Sequence, residues 1–384
     1  MQFDLIIIGG GMVGASLALR LADSGKRIAL VEQKQPDDYQ PDSPCDLRVS
    51  ALNRSSQQLL ESVGAWPRLL DMRAHLFKRL SVWQQGCSRT DFDADDIGAS
   101  HLGYIAENKL VQLALWQQLK KSDVECIVPE SVTGLVQHDD HIEVLLAGGA
   151  KLTAALVAAT DGAQSAIRQQ SGIGVTGWDY QQDAMVISVG LKESAPEITW
   201  QAFFESGPRA LLPLPNNQAS LVWYDAPKRV AQLLKLNDLQ LSHEILNAFP
   251  EQLPEFEILS RGSFPLRRQH ANHYVNGRVV LLGDAAHVIN PLAGQGVNLG
   301  FKDVLCFAEE IEQASDVITA CKRYERRRRP ENLLMMSTMD GLYKTFSSDK
   351  APVRLLRNVG LWLADRPTPL KRAALKHAMG LPMF

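Results

Sequence analysis

The sequence predicts an α/β protein in which a domain built on a parallel sheet is interrupted by an α+β domain with an antiparallel sheet and is followed by C-terminal helices. Three observations predict this arrangement. The chain opens with a strand, a glycine turn, a helix and a second strand; similar apolar strands recur much later; and the region between them alternates apolar and polar residues. Its 384 residues are enough for two domains of ordinary size.

The opening unit begins with a short, β-branched apolar run at 3–8, as a buried parallel strand requires. A helix is predicted over 12–24, and Gly25 suits the position just past its end, where a positive φ is common. A second strand at 27–31 leads to Glu32. The unit has the length of roughly 30 residues that is typical of Rossmann-like strand–helix–strand motifs.

Three glycines, Gly9, Gly11 and Gly14, form a GxGxxG pattern between the first strand and the helix. The first allows a tight turn, the second lets the backbone approach a pyrophosphate, and the third permits close packing of helix on strand. The helix N-terminus presents free N–H groups to phosphates. Glu32, 18 residues beyond Gly14, is placed to accept hydrogen bonds from a ribose diol. The pattern indicates a dinucleotide site rather than a glycine-rich surface turn.

Two later strands of the same sheet are predicted at 152–160 and 278–282, and each leads into a turn with an aspartate. The first leads to Asp161 and Gly162, and the second leads to Asp284. A glycine-rich stretch then precedes a helix. We therefore expect a second set of polar contacts to a long ligand, in which N–H groups at the start of this helix point at an electron-rich ring. The candidate residues of this stretch are Pro291, Gly294, Gln295, Gly296, Val297 and Asn298.

In order and spacing, these three motifs resemble those of the single-component FAD-dependent aromatic hydroxylases, the para-hydroxybenzoate hydroxylase-like flavoprotein monooxygenases. The resemblance runs from Asp4 to about Pro330. It implies that the first motif and Glu32 hold the ADP half of FAD. It also implies that Asp284 contacts the ribityl chain and that the stretch 291–298 lies against the isoalloxazine ring.

The same resemblance suggests further cofactor contacts. It assigns Asp161 and Gly162 to cofactor handling, and Arg48 to a position close to the flavin and its phosphates. Gln112, on the helix after Glu107, is a weaker candidate for an FAD contact. NADH or NADPH would serve as a transient reductant without a nucleotide domain of its own.

Within this family, the stretches 102–108, 207–214 and 219–225 look like the branch that hydroxylates ubiquinone precursors. The resemblance implies a monooxygenase that uses NAD(P)H and dioxygen to hydroxylate the ring of a lipophilic prenylated quinol, at the demethoxyubiquinol step. Alternatives are another ring position or phenolic substrate, a halogenase or a prenyl reductase on the same frame, and a non-catalytic flavin-binding scaffold of a biosynthetic complex. A plain NAD dehydrogenase would not need the second set of ligand contacts around Asp284.

No catalytic side chain is predicted, because an ionised substrate hydroxyl supplies its own electrons to the ring. His287 is interpreted as a helix-start histidine packed under the cofactor rather than as an acid or base. Candidate lining residues of the substrate pocket are Phe203, Trp223 and Tyr224. Consecutive strand residues point to opposite faces, so at most one of Phe203 and Phe204 should line the pocket.

The predicted domains are discontinuous. The FAD-binding domain comprises 1–72, 101–179 and 277–330, and the substrate domain comprises 73–100 and 180–276. Residues 331–384 form a C-terminal helical region.

Composition excludes several classes of protein. The net charge of −3 argues against a nucleic-acid binder, and five scattered cysteines without CxxC spacing argue against disulfides or a metal site and for a reducing cytoplasm. The N-terminus lacks the basic region of a signal peptide, and no window approaches the ~20 apolar residues that span a bilayer. A cytoplasmic protein, at most peripheral at the inner face of the membrane, is expected.

The C-terminal part differs in charge from the rest. Residues 321–384 contain 14 Lys/Arg and 5 Asp/Glu. An apolar stripe of Met335, Met339, Leu342 and Phe346 follows the basic run 326–329. The stripe predicts a helix packed on its own protein, and the alternative is contact with a membrane or a biosynthetic complex.

Overall fold

The computed structural model describes residues 2–84, 89–250, 253–290, 294 and 296–346. In these segments the strands are, in chain order, β1 (Phe3–Ile8), β2 (Ile28–Val31), β3 (Val49–Asn53), β4 (His75–Phe77), β5 (Arg79–Gln84), β6 (Arg89–Asp93), β7 (Gly103–Glu107), β8 (Glu125–Ile127), β9 (Val132–Gln137), β10 (Ile142–Leu146), β11 (Lys151–Ala159), β12 (Val175–Leu191), β13 (Ile198–Phe204), β14 (Gly207–Leu214), β15 (Gln218–Asp225), β16 (Phe256–Ala271), β17 (Val275–Asn276), β18 (Val279–Leu281) and β19 (His287–Val288). The helices are α1 (Met12–Arg20), α2 (Arg54–Ser62), α3 (Ala65–Met72), α4 (Asn108–Leu119), α5 (Ala166–Gln170), α6 (Pro227–Leu233), α7 (Asp238–Ala248), α8 (Gly296–Gln313) and α9 (Val317–Phe346).

The first sheet has the order β17-β18-β11-β1-β2-β8, and β10 extends it by pairing with β11 and β9. Its centre is parallel, with β1 between β11 and β2. The apolar runs predicted at 3–8, 27–31, 152–160 and 278–282 all lie in this sheet, which confirms them as strands. Their side chains form the largest core cluster together with α1, α4 and α8.

Helix α1 ends at Arg20, four residues before the predicted end. Residues 21–25 are a turn, in which the amide of Ala22 donates to the carbonyl of Leu19 and the amide of Ser24 donates to that of Leu21. These bonds, which span three residues, tighten the last turn and end the helix. Gly25 has φ 72°, the left-handed conformation that the sequence predicts there.

The second sheet has the order β19-β16-β12-β15-β14-β13-β5-β6. All of its pairs are antiparallel except β5 with β13. Helices α6 and α7 cover one face and bury a core with β12, β13, β14 and β15. The predicted α/β fold with an inserted antiparallel sheet is therefore confirmed.

Several elements cross the predicted domain limits. Strand β12 begins at Val175, before the limit at 180, and β4 pairs with β7 in a small third sheet with the order β3-β7-β4. Helix α9 runs through Pro330, so the limit after residue 330 falls inside one helix. The helix continues past the proline because Arg328 and Asn332, on either side of it, are both hydrogen-bonded to buried Asp303.

Candidate functional site

The glycine turn after β1 has two glycines that the fold itself requires. Gly9 has φ 101°, and a Cβ there would lie 2.6 Å from the carbonyl oxygen of Thr160. A Cβ on Gly14 would lie 1.9 Å from the carbonyl oxygen of Gly9. Gly11 differs, because among the described residues no atom beyond the adjacent chain lies within 4 Å of its Cβ position at the start of α1. The open approach to this backbone fits a pyrophosphate on the helix N-terminus.

Glu32 lies beside this turn, as predicted. Its Oε2 accepts a hydrogen bond of 2.5 Å from the amide of Gly10, and its Oε1 accepts from the amides of Gln33 and Lys34. A cavity of about 250 Å³ lies between Glu32, Gly9 and Asp161, and residues 130–132 complete its wall. The carboxylate is thus positioned at a cavity next to the glycine turn.

Gln112 is close to the turn, but its side-chain amide is used by the protein. Gln112 Nε2 donates to the carbonyl of Gly10 at 2.8 Å, and Trp116 Nε1 donates to the same oxygen at 2.7 Å. Gln112 also lines a cavity of about 350 Å³ beyond Glu32. Sequence reasoning missed Trp116, although its position one helical turn after Gln112 on α4 was a signal that could have found it.

Asp161 and Gly162 follow β11 as predicted, and the aspartate shapes the turn. Asp161 accepts hydrogen bonds from Ser165 Oγ at 2.5 Å and from the amide of Ile167 at 3.1 Å, which cap α5. Arg168, on α5, is buried and donates to the carbonyl of Ala285 at 2.9 Å. Burial lowers the pKa of Arg168, and Asp161 partly opposes this shift. The second motif is thereby connected to the turn that contains Asp284.

Asp284 and Arg48 come together from opposite ends of the chain. Asp284 follows Gly283, whose φ of 58° turns the chain away from β18. The Asp284 side chain is accessible to solvent, but the protein packed around it desolvates the carboxyl and raises its pKa, while the charges of His287 and Arg48 act in the opposite direction. Arg48 is also exposed, and its guanidinium forms no hydrogen bond with any residue that the structure describes. Both side chains are thus exposed, and their role in holding FAD stays a prediction.

The loop before Arg48 is fixed by a buried ion pair. Arg73 Nε lies 2.6 Å from Glu107 Oε1, and both side chains are almost fully buried. Glu107 Oε2 accepts from the amide of Asp46 at 2.7 Å, and Asp46 in turn accepts from the amide of Arg48. The end of β7 therefore positions the backbone of Arg48.

His287 does not start a helix, so that prediction was wrong. The chain extends into β19 after the 3-10 turn at Gly283–Ala285, and β19 pairs with β16. His287 Nε2 lies 2.5 Å from Asp303 Oδ2, and both side chains are buried. The same aspartate accepts from the amide of Gly283, from Arg328 Nε and from Asn332 Nδ2 at 2.8–3.1 Å.

Asp303 is the centre of this buried cluster, which lies directly behind the Gly283–Asp284 turn. Burial alone would raise the pKa of the Asp303 carboxyl, but the charges and hydrogen bonds of His287 and Arg328 outweigh it and hold the pKa well below its usual range. The ionised carboxylate fixes the turn to α8 and α9.

The glycine-rich stretch is only partly described, since Pro291 and Gln295 lie outside the described residues. Gly294 has φ 63° and packs against Ala51. Gly296 and Val297 begin α8, and among the described residues no atom beyond the adjacent chain lies within 4 Å of a Cβ on Gly296.

Asn298 does not direct its side chain at a ligand. Its Oδ1 accepts from the amide of Asn53 at 3.1 Å and from Ser56 Oγ at 2.6 Å, and its Nδ2 donates to the carbonyl of Ala51 at 2.8 Å. The side chain fastens α8 to β3 and α2, so only its backbone N–H remains a candidate contact.

The three aromatic candidates for the substrate pocket lie on two faces of the second sheet. Phe203 and Tyr224 pack together with Met339 of α9 on the face opposite α6 and α7. Trp223 lies in the core under α6 and α7, and its Nε1 donates to Asp225 Oδ2 at 3.1 Å. Trp223 therefore does not lie on the same face of the sheet as Phe203 and Tyr224. Phe204 packs in the same core as Trp223, which confirms that it and Phe203 point to opposite faces.

The face opposite α6 and α7 also carries aliphatic residues that sequence reasoning missed. In register, Val222 pairs with Ala210, Ala210 with Gln201, and Gln201 with Val82. The residues that are apolar, only partly buried and on this face are Leu80, Val82, Ala210, Leu212 and Val222, here called the aliphatic strip. The alternation of these residues along β5, β14 and β15 was visible in the sequence. The sequence did not show which face of the sheet α6 and α7 cover.

The aliphatic strip adjoins the Arg48 loop. A Cβ on Gly262 would lie 3.0 Å from Leu47, the residue before Arg48. Gly262 pairs with Val186, and Val186 pairs with Val222. The apolar face of the second sheet and the loop that contains Arg48 are thus adjacent.

A family model described as an FAD binding domain matches residues 2–336. The chain belongs to this family. Like its hydroxylase relatives, it is an FAD-dependent monooxygenase. It is 44% identical to the 3-demethoxyubiquinol 3-hydroxylase of Escherichia coli (strain K12), with 98% of each chain covered. It is 34% identical to the ubiquinone hydroxylase UbiL of Rhodospirillum rubrum, with 98% of this chain and 89% of that one covered.

Solved structures share the fold. The p-nitrophenol 4-monooxygenase PnpA of Pseudomonas putida DLL-E4 superposes with a TM-score of 0.78 at 19% identity, covering 98% of this chain and 96% of that one. PqsL of P. aeruginosa, in complex with 2-aminobenzoylacetate, gives a TM-score of 0.80 at 20% identity over 94% and 99% of the two chains.

Proposed function

We propose that this monooxygenase hydroxylates the ring of a prenylated quinol in ubiquinone biosynthesis, at the demethoxyubiquinol step. The observation that carries the proposal is the 44% identity, over 98% of both chains, to a 3-demethoxyubiquinol 3-hydroxylase. The aliphatic strip supports it, because an apolar floor beside the cofactor turns suits a lipophilic ring.

The residues present fit FAD. The open backbone at Gly11 suits the pyrophosphate, Glu32 suits the ribose, and the exposed Asp284 and Arg48 suit the ribityl chain and phosphates. When bound, FAD supplies the redox chemistry that activates dioxygen, with electrons from NADH or NADPH.

The protein's own part in the reaction is to orient the ring and to exclude water. The aliphatic strip offers no titratable group to the ring, and His287, the nearby histidine, is held by Asp303 inside the protein. We therefore assign no general base, because an ionised substrate hydroxyl activates its own ring. The apolar surface keeps the reaction from being diverted to peroxide by water.

The test uses the purified full chain with FAD, NADH or NADPH, a short-chain demethoxyubiquinol and ¹⁸O₂. We expect flavin absorbance, substrate-stimulated NAD(P)H oxidation and a quinol product that carries one ¹⁸O atom. Flavin binding with substrate-independent peroxide formation would reject the substrate, and flavin binding without any oxidation would favour the scaffold. Asp284→Ala should weaken FAD binding, whereas a plain NAD dehydrogenase would keep its cofactor.

We further propose that α9 contacts an anionic lipid surface, which would place the enzyme at the inner face of the membrane near its substrate. No membrane-spanning helix is found in the described part of the chain. Met335 and Met339 pack partly against the protein's own clusters, but Leu333 and Leu334 are 39% and 69% exposed. Leu333 is seven residues after the exposed Arg326 and thus shares its helix face.

This contact is tested by co-sedimentation with phosphatidylglycerol-containing vesicles. The double variant Leu333→Glu/Leu334→Glu should lose binding while it retains the flavin spectrum, and exposed Leu239→Glu on α7 serves as the control. Equal binding of both variants would reject the contact through α9.

A further inference from the structure

A hairpin on the first sheet brings together metal-ligating side chains that the flavin site does not use. Strands β9 and β10 are joined by the turn 138–141, in which the amide of His138 donates to the carbonyl of His141 at 2.9 Å. The turn stacks the two imidazole rings with centroids 4.3 Å apart and planes 13° apart. Glu143, on β10, completes the group, and the ligand atoms of all three side chains lie within 4.8 Å of one another.

We propose that His138, His141 and Glu143 form a binding site for a divalent transition metal of the zinc type. His138 Nε2 lies 3.6 Å from Glu143 Oε2, and His141 Nε2 lies 4.0 Å from Glu143 Oε1. Ligand atoms around a tetrahedral zinc ion are about 3.4 Å apart, given metal–ligand bonds of about 2.0–2.2 Å. Small side-chain rotations therefore suffice. Two imidazoles and one carboxylate suit Zn²⁺, Ni²⁺ and Cu²⁺ rather than Mg²⁺ or Ca²⁺.

The hydrogen bonds around the group favour a metal. Asp140 Oδ1 lies 2.7 Å from His141 Nδ1, so in a neutral imidazole the proton would sit on Nδ1 and Nε2 would be the ligand atom. The two histidine side chains are 41% and 28% exposed, so water can supply the fourth ligand. Lys151 Nζ lies 2.8 Å from Glu143 Oε1, so the carboxylate is shared between this ammonium group and the proposed metal site.

The hairpin turn is rigidly held by the rest of the first sheet. Arg278, at the start of β18, donates from Nε to the carbonyl of Asp139 at 3.2 Å and from a terminal nitrogen to the carbonyl of Ala155 at 2.9 Å. A bound metal would join the two strands of an already anchored hairpin and stabilise the folded protein, since a ligand that binds only the folded state does so by mass action. The site is independent of the proposed substrate.

The spacing H-x-x-H-x-E is readable in the sequence. The expectation that the protein has no metal site considered cysteine spacing alone. The histidines become a candidate pair only once a turn of known geometry places them side by side.

The experiment measures Zn²⁺ binding by isothermal titration calorimetry on the FAD-loaded full chain without an affinity tag, and follows Co²⁺ binding by its visible absorption. We expect one saturable Zn²⁺ site per chain that weakens as the pH falls from 7.5 to 5.5, because the imidazoles must be neutral to bind. His138→Ala and His141→Ala should each lower the affinity at least tenfold. Asp140→Asn should lower it by about 10- to 100-fold, as is typical for the partner of a ligating histidine.

Two further variants separate this site from non-specific binding. Lys151→Ala should tighten Zn²⁺ binding, because it releases the shared carboxylate, whereas His243→Ala removes an exposed histidine elsewhere and should change nothing. Flavin absorbance and the melting temperature without metal verify that each variant is folded. Unchanged affinity in the folded His138→Ala and His141→Ala variants, an equal loss in His243→Ala, or unchanged affinity in Lys151→Ala would each overturn the three-ligand site.

Discussion

The three glycines of the first motif are needed for different reasons, which predicts different effects of the same substitution. Gly11 has φ −66°, and among the described residues no atom beyond the adjacent chain lies within 4 Å of its Cβ position, so a methyl group meets no clash there. Gly11 is the N-cap of α1, where alanine is less favourable than glycine, so we expect Gly11→Ala to lower the free energy of unfolding of the FAD-free protein by at most about 1 kcal/mol. The methyl group would nevertheless stand where a pyrophosphate approaches, so FAD affinity should fall at least tenfold in a fluorescence titration.

Gly14→Ala is the matched comparison. Its Cβ would lie 1.9 Å from the carbonyl oxygen of Gly9 and 2.5 Å from Thr160 Oγ1, so helix and strand must separate. This variant should lose several degrees of melting temperature even without FAD. The reverse order, a stable Gly14→Ala and an unstable Gly11→Ala, would contradict the division of roles between the two glycines.

At the residue scale, the sequence predicts those features of the site that depend only on residues nearby in the chain. The glycine turn, Glu32 at the end of β2 and the opposite faces of Phe203 and Phe204 follow from local geometry. It does not predict which face of the second sheet stays open, because that depends on which face α6 and α7 cover. For this reason Trp223 was chosen as a lining residue and Ala210 was missed.

At the scale of elements, Asp303 on α8 joins the Gly283–Asp284 turn to β19 and α9. Its side chain is fully buried and bonded to His287 and Arg328. We expect Asp303→Asn to reduce the free energy of unfolding by about 3–5 kcal/mol at pH 7, because it removes the buried counter-charge of Arg328 and leaves only the exposed Glu331. Urea denaturation of the FAD-free protein measures this. Glu312→Gln, which breaks the exposed ion pair with Arg20, should cost at most about 1 kcal/mol.

The pH dependence provides a second check on Asp303. Its pKa in the folded state is lowered, so its stabilising effect is present above the usual carboxyl pKa of about 3.9 and is lost as the pH falls towards the folded value. The stability difference between the wild type and Asp303→Asn should therefore shrink on acidification below about pH 4. A difference that does not change with pH would assign the effect to packing rather than to the charge.

Helix α9 shows why element boundaries are harder to predict than elements. A proline usually ends a helix because it lacks an N–H and clashes with the preceding turn. Here Pro330 lies inside a helix that extends from Val317 to Phe346. The tertiary bonds of Arg328 and Asn332 to Asp303 outweigh the local preference, and no local pattern in the sequence contains them.

At the scale of the whole molecule, the candidate site exists only where the two sheets meet. Leu47 and Arg48 come from the loop before β3, Asp284 from the turn after β18, and the aliphatic strip from β5, β14 and β15. The motifs with Arg48 and Asp284 are local and were predicted from the sequence, whereas the aliphatic strip and its adjacency to them depend on how the inserted sheet packs on the first. An activity that needs both a reduced flavin and a sheltered ring therefore depends on that packing.

Ala210→Phe tests the two-sheet site. The added ring would project from a partly exposed position in the aliphatic strip, next to Val222, without entering the core under α6 and α7. We expect FAD affinity to be unchanged, because the cofactor turns belong to the first sheet. The amount of hydroxylated product per NAD(P)H consumed should fall at least tenfold, and peroxide should account for the rest. The reason is that the substrate ring can no longer pack on the aliphatic strip and water enters.

The matched control is Ala147→Phe, the same substitution on an exposed turn of the first sheet. Product is quantified by mass spectrometry and peroxide by a coupled peroxidase assay, at saturating FAD for both variants. If Ala210→Phe still forms one product per NAD(P)H consumed, the substrate does not bind on the strip. If Ala210→Phe alone loses FAD, the strip supports the cofactor rather than the ring. A loss of coupling confined to Ala210→Phe, with FAD retained, places the ring on the second sheet, because both variants add the same apolar bulk and differ only in the surface that carries it.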